Sequence, residues 1–382
     1  MKKILVLGGV GAMASETSYD LVETSDFDEI MIADINLEKV KNFVKKIGDR
    51  RLKTARVDAS DLDQMAQLMS GYDIVANGLP RIFCENAIRA AIKAKVDILD
   101  LISPHKETLA LNSDAEKAGI SVVGGVGITP GLTNILAKIG IDRLEQVEVI
   151  EIDFAAFRAI AYSPGLLHVV LWEFDPMTKN RFYYENGKFI DNPPFSGARV
   201  VHFPKPIGTQ TTYYVPHGEP QTLSKNVPGI KKVMIRGCFP PEAMAMARAM
   251  YEYGTFTNEP VEFEGKSISA DKFLRHYLST VPQGRLTNLW GYSVQVEVIG
   301  RADGKNITHR FVTTHPPMES WDGERAYAKN VGIPMSVGAQ LMAKGLTMKK
   351  GVDGAETMLP AQEFADELRK RKIVINESLI YL

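Results

Sequence analysis

The stretch Val6-Leu7-Gly8-Gly9-Val10-Gly11-Ala12-Met13-Ala14 decides the fold. It closes a short apolar run, Ile4–Gly8, and opens a helical pattern over Ala14–Thr24. Gly9, Gly11 and Ala14 fit the G-x-G-x-x-G/A spacing of a dinucleotide turn. The first glycine permits a tight turn, and the second lets a pyrophosphate approach the backbone. The small third residue packs the helix against the sheet. The helix start presents N–H groups and a positive dipole end to phosphate, so Gly9, Gly11, Ala12 and Met13 are the expected contacts. Asp34 stands 20 residues beyond Ala14, at the end of the second strand. That is the spacing of an acid that bonds a ribose 2′-hydroxyl, although Asp34 is also placed to cap the helix starting near Asn36. Asp34-Ile35-Asn36 contains no arginine for a 2′-phosphate, which favours NAD over NADP. At the end of the fourth strand, Asn77-Gly78-Leu79-Pro80 either lies along a cofactor ribose or simply ends the strand. A glycine turn of this kind also serves other ligands in flavodoxin-like and methyltransferase-like domains.

Strands and helices alternate outward from the turn. Glu29–Asp34, Lys53–Asp58, Asp73–Asn77, Asp97–Leu101 and Ile120–Val123 read as further strands. Leu37–Ile47, Asp61–Met69, Phe83–Ala94 and Lys106–Ala118 read as the helices between them. This is the pattern of an α/β fold with a parallel, doubly wound sheet and right-handed crossovers. After about residue 145 the texture changes. Gln146–Phe157, Ser293–Val298 and Arg310–Thr314 have the β-branched and aromatic content of an antiparallel or mixed second sheet. Helical patterns return at Ala326–Lys329, Met335–Lys344 and Ala361–Arg371.

Composition narrows the function. The 382 residues carry 45 Lys+Arg against 46 Asp+Glu, a formal charge of −1, so no basic excess favours nucleic acid. The first residues read as a strand rather than a signal peptide, and no apolar run is long enough for a membrane span, so a cytoplasmic protein is expected. Two cysteines, Cys84 and Cys238, exclude a disulfide framework, and the seven scattered histidines show no metal-ligand spacing.

Three stretches resemble the saccharopine dehydrogenase and lysine 6-dehydrogenase family. They are the Gly9-x-Gly11 turn, Ile98-Leu99-Asp100-Leu101-Ile102-Ser103-Pro104, and Gly127-Ile128-Thr129-Pro130-Gly131-Leu132-Thr133-Asn134. Ala328–Pro334, Gly338–Met342 and Lys350–Val352 are similar to the family's closing segment. The resemblance implies a Rossmann domain (1–140), an inserted α+β domain for substrate binding and dimerisation (141–322), and a C-terminal segment (323–382) whose helices complete the Rossmann domain. It implies NAD(P)-linked chemistry at a carbon–nitrogen bond of an amino acid, carried out by a homodimer. The middle of the chain lacks a clearly matching substrate pattern. A dinucleotide-binding regulatory or structural protein without catalysis is therefore the alternative.

Hydride transfer at a CH–NH centre needs a nicotinamide face, a proton shuttle and cations for substrate carboxylates. Thr129, Pro130, Gly131 and Asn134 follow the sixth strand, at the sheet edge where ligands of open α/β folds gather. Pro130 and Gly131 are candidates to lie against the nicotinamide, and Thr129 and Asn134 to meet the substrate; a structural turn is the alternative. Asp100 is a candidate acceptor for the substrate ammonium, and His105 a proton shuttle, unless they are turn and capping residues. His217 with Glu219 forms a candidate acid/base pair or a solvated loop. Arg236, with Arg158 second, is a candidate carboxylate clamp or a surface ion-pair partner.

Overall fold

The computed structural model describes residues 1–157, 164–257, 259–280 and 290–381. Its backbone divides into two units. Unit 1 comprises Met1–Leu144, Gln221–Pro228 and Arg325–Ile373; unit 2 comprises Glu145–Pro220, Gly229–Glu324 and Val374–Leu382.

The chain opens with β1 (Lys3–Leu7), α1 (Ala14–Thr24), β2 (Glu29–Asp34), α2 (Leu37–Ile47), β3 (Leu52–Arg56), α3 (Leu62–Met69) and β4 (Ile74–Asn77). It continues through α4 (Cys84–Ala94), β5 (Asp97–Asp100), α5 (Lys106–Leu109), α6 (Asn112–Ala118), β6 (Ser121–Gly124) and α7 (Leu132–Ile141). Unit 2 follows with β7 (Gln146–Phe157), α8 (Pro164–Phe174), β8 (Phe182–Glu185), β9 (Lys188–Asp191), β10 (Arg199–His202) and β11 (Thr209–Tyr214). After α9 (Glu219–Asn226) come β12 (Lys232–Cys238), α10 (Pro241–Glu252), β13 (Pro260–Phe263), β14 (Lys266–Ser269) and α11 (Ala270–Thr280). The remaining elements are β15 (Gly291–Ala302), β16 (Lys305–Thr314), α12 (Ala326–Ala343), β17 (Gly351–Gly354), α13 (Ala355–Met358), α14 (Ala361–Lys370) and β18 (Val374–Tyr381).

The sheet of unit 1 has the order β17-β6-β5-β4-β1-β2-β3, with every neighbouring pair parallel. Ile4, Leu5, Val6 and Leu7 are all fully buried, as the central strand of a sheet covered on both faces must be. Leu5, Leu7, Val75, Ile98 and Val122 form one core with Met65, Met69, Ala87 and Ala91 from α3 and α4. The fold is thus the expected α/β, and the C-terminal segment completes it with a strand as well as helices. That strand, β17, reads Gly-Val-Asp-Gly and has neither the length nor the β-branched content that marks a strand in sequence. Lys106–Ala118 is two short helices rather than one.

One continuous helix, α12, replaces the two expected between Ala326 and Lys344. It runs through Gly332 and Pro334, which cost an exposed helix roughly 1 and 3 kcal/mol respectively. Burial of Gly332, Ile333, Pro334, Met335, Val337 and Ala339 offsets that cost.

The sheet of unit 2 is mixed. Its order is β10-β11-β12-β7-β15-β16-β18, with β8 also pairing β12. Strands β12 and β7 run parallel, and the other pairs are antiparallel. The last strand, β18, pairs with β16 over its whole length, so residues 374–382 join unit 2 rather than continuing the Rossmann unit.

Candidate dinucleotide and substrate sites

The glycine turn joins β1 to α1 at the carboxyl edge of the sheet. Gly9 N–H donates to Ala33 O at 3.2 Å and Gly11 N–H to Gly8 O at 2.8 Å, folding the turn back on β1 and β2. A side chain at Gly9 would place Cβ 2.7 Å from Ile32 Cγ2 and 3.1 Å from Val6 O, so this glycine is required by the protein's own packing. Gly11 differs. A Cβ there would meet only Gly8 O, at 3.0 Å, and its remaining surroundings are open. That is the cradle a pyrophosphate needs, and the residues present fit a dinucleotide. Ala12 is exposed, Met13 is half-buried, and Ala14 packs so tightly under the fourth strand's turn that a Cβ at Gly78 would lie 2.5 Å from Ala14 Cβ. Gly78 thus closes the wall beside the turn, with Leu79 half-buried and Pro80 exposed after it.

Asp34 ends β2 at the same edge. Its Oδ1 accepts the Asn36 N–H at 3.1 Å, while Asn36 Oδ1 accepts the Lys39 N–H and caps α2. The capping role therefore belongs to Asn36. On the adjacent strand, Arg56 is the register partner of Asp34 and is exposed. Sequence reading missed this cation, because only the β2–β3 register brings it beside Asp34.

The residues after the fourth and fifth strands are tied to one another. Asn77 is fully buried; its Nδ2 donates to Asp100 Oδ2 at 2.6 Å, and its Oδ1 accepts the Leu79 N–H at 3.3 Å. Asp100 Oδ1 accepts the Ile102 N–H at 2.7 Å and faces Cys84 Sγ at 3.6 Å. Burial raises the Asp100 pKa to about 6 against these hydrogen bonds. Both oxygens of this 2% exposed carboxyl are engaged inside the protein, so Asp100 shapes the strand ends rather than offering a free ammonium acceptor. His105 precedes α5 and takes up its N-terminus through a backbone N–H to Thr108 Oγ1 at 2.9 Å. Burial and Arg81 lower its pKa, so its ring is neutral at pH 7.

The Gly127–Gly131 loop closes on itself. Gly127 N–H donates to Pro130 O, Leu132 N–H to Gly127 O, and Gly131 N–H to Asn134 Oδ1 at 3.1 Å. Thr129 and Pro130 are half-buried and Gly131 is buried at φ 131°. Asn134 turns inward: its Nδ2 donates to Thr222 Oγ1 at 3.1 Å and to Glu356 Oε2 at 3.0 Å. Asn226 completes this hub by donating to Asp353 Oδ1 and Glu356 Oε1, each at 3.0 Å. Asn134 is therefore a packing and loop-capping residue in this structure. No sequence signal marked the hub, because its members come from three distant segments.

In unit 2, the His217 side chain is 12% exposed and stacked on Phe154, with ring centroids 5.2 Å apart. Its Nε2 lies 3.4 Å from Glu173 Oε1 and its Nδ1 3.8 Å from Glu219 Oε2. Burial alone would lower its pKa, but the two glutamates outweigh it and push it to about 10. His217 is thus a mostly buried cation between two buried acids rather than part of a solvated loop. Arg236 is 7% exposed on β12. Its Nε donates to Gly197 O at 2.9 Å, its guanidinium stacks over Tyr214 at 4.8 Å, and Nη1 lies 3.8 Å from Glu151. That environment holds it in the sheet, and the arginine expected to clamp a carboxylate is committed to its own unit. Arg158 lies outside the described residues. Unit 2 also contains a cleft of about 530 Å³ walled by Trp290, Tyr292, Thr313 and His315, with Lys205 and Glu319 lining it as well. Among the described residues no cluster of three His, Cys, Asp or Glu could hold a metal, and no helix is long and apolar enough to cross a membrane.

Residues 4–123 match the saccharopine dehydrogenase NADP binding domain, and residues 127–374 match the saccharopine dehydrogenase C-terminal domain. The chain is similar to carboxyaminopropylagmatine dehydrogenase of Synechocystis sp., with 23% identity over 94% of either chain. It is 20% identical to carboxynorspermidine synthase of Vibrio alginolyticus, over 92% of this chain and 91% of that one. Its fold matches that of a saccharopine dehydrogenase (L-Glu forming) from Saccharomyces cerevisiae, with a TM-score of 0.76, 17% identity and full coverage of both chains.

Proposed function

Because the chain belongs to the saccharopine dehydrogenase family, whose domains match it across residues 4–123 and 127–374, we propose that it exchanges a hydride between NAD(P) and the carbon–nitrogen bond of an amino-acid-derived amine. The observation that carries this reading is the glycine turn: Gly9 is closed by protein packing, whereas Gly11 is open on the side a pyrophosphate would approach. When bound there, the cofactor supplies or accepts the hydride. In the reductive direction an amine and a carbonyl condense with loss of water, and the C=N bond then takes up a hydride and a proton.

The full-length relatives named for carboxyaminopropylagmatine and carboxynorspermidine support a carboxylate-bearing secondary amine as the compound made or cleaved. Lysine 6-dehydrogenase-like deamination and saccharopine-like cleavage belong to the same reading. The unit 2 cleft, where Lys205 supplies a cation, is the proposed place for the substrate. NAD is the proposed cofactor, because the Asp34 carboxylate would bond a ribose diol and repel a 2′-phosphate. Arg56, the register partner of Asp34, and the NADP binding domain that the chain matches favour NADP instead. A homodimer is the proposed assembly, with an amino-acid-derived small molecule as partner.

A catalytically silent dinucleotide-binding protein is the second reading, favoured by the internal engagement of Asp100, Asn134 and Arg236. The test is steady-state oxidation of NADH and NADPH with amines paired against oxo acids and carboxylated aldehydes, and reduction of NAD with amino acids. Turnover with at least one pair supports the enzyme, and a preference for NADH of at least ~1 kcal/mol supports the Asp34 assignment. Tight NADH binding with no turnover on any pair would favour the silent reading.

A further inference from the structure

We propose that Gly332, in the C-terminal helix α12, is a positioning residue for the dinucleotide: its bare backbone fixes where the first turn of α1 stands. This rests on the dinucleotide reading of the glycine turn. Helix α12 passes α1 so closely that a Cβ at Gly332 would lie 2.6 Å from Met13 O, from Thr17 N and from Glu16 Cβ. Two of those three atoms are backbone of the turn and first helical turn, so a flexible side chain cannot relieve the conflict by rotating.

Two further contacts lock the same junction. Thr17, fully buried, donates its Oγ1 hydrogen to Gly332 O at 3.0 Å. Arg325, immediately before α12, grips buried Glu16 with Nε and Nη2 at 2.7 Å each and lies over the Tyr19 ring at 3.9 Å. The other side of α12 is held by the core: Gly338 sits against Val126, Leu359 and Phe364. The first turn of α1 is tied directly to the glycine loop, by Ser15 N–H to Gly11 O at 3.0 Å and Ser15 Oγ to Ala12 O at 3.1 Å. A side chain at Gly332 would therefore press on backbone that is continuous with the dinucleotide turn, Met13 standing two residues after Gly11.

The experiment compares NADH and NADPH dissociation constants for the full-length protein and its variants, well below their melting temperatures. Gly332→Ala is expected to weaken the preferred cofactor by at least ~10-fold, the scale of loss that a displacement near 1 Å produces at a preorganised site. Thr17→Val should weaken it by about threefold, and Thr17→Ser, which keeps the donor, should restore it. Gly338→Ala, whose Cβ lies nearest to the core side chains of Val126, Leu359 and Phe364, is the control; it should lower the melting temperature while leaving the dissociation constant within about twofold. If Gly332→Ala does not fold, the Thr17 pair decides. Wild-type affinity in both Gly332→Ala and Thr17→Val overturns the proposal and leaves the dinucleotide reading standing. A wild-type protein that binds neither cofactor overturns both.

Discussion

At the scale of single residues, the structure separates groups that a ligand can reach from groups the fold has already used. His217 is of the second kind. Its cationic form sits between Glu173 and Glu219, and its pKa is raised to about 10. A histidine whose folded pKa lies above its unfolded value of 6.5 contributes stability fully below that lower value, and the contribution is lost as pH rises through about 10. Urea unfolding of the wild type should therefore show stability falling between about pH 6.5 and 10. His217→Phe should be destabilised at neutral pH by roughly 3–5 kcal/mol, since two buried acids lose their cation, and should not show that fall. A variant as stable as the parent at neutral pH would refute the ion-pair account. Gly11 is of the first kind: Gly11→Val should abolish NADH binding, read by fluorescence titration, while the melting temperature changes little. Normal NADH binding by that variant would move the phosphate site away from the turn.

At the scale of elements, what was legible in the chain was what neighbouring residues encode. Helices α1 and α2 and strand β2 have the bounds their apolar spacing and flanking residues indicate, because the Asn36 cap and the Gly48 terminator act locally. Strand β17 was illegible because pairing with β6, not propensity, makes Gly351–Gly354 a strand. Helix α12 read as two pieces because Pro334 breaks a helix unless burial on most sides holds it together. The position of Asp34 was legible from spacing, whereas its neighbour Arg56 depends on register. Asn134 is legible as a candidate substrate contact at the start of a helix, but its partners Thr222 and Glu356, 88 and 222 residues away, are not. That hub is where unit 1 gathers its three chain segments. Asn226→Ala would take one donor from each of the buried carboxylates Asp353 and Glu356, leaving Asp353 Oδ1 with the Gly354 N–H alone, and should cost about 1–3 kcal/mol in denaturant unfolding. A loss below the measurement error would show that the hub does not hold the segment.

At the scale of the whole molecule, the chain pairs a parallel α/β unit built around a dinucleotide turn with a mixed-sheet unit that carries a polar and aromatic cleft. Membership of the saccharopine dehydrogenase family, together with the open side of Gly11, supports the proposed hydride exchange at a carbon–nitrogen bond. The most direct test follows that hydride. The protein is supplied with NADH or NADPH deuterated on the transferring face of the nicotinamide, and with the amine and carbonyl acid that oxidise it fastest. The product is then analysed by mass spectrometry and NMR. One deuterium is expected, on the carbon bonded to the newly formed secondary amine nitrogen. Deuterium on a carbon bearing only oxygen, or no cofactor oxidation with any amine and carbonyl pair, would contradict the proposed hydride exchange.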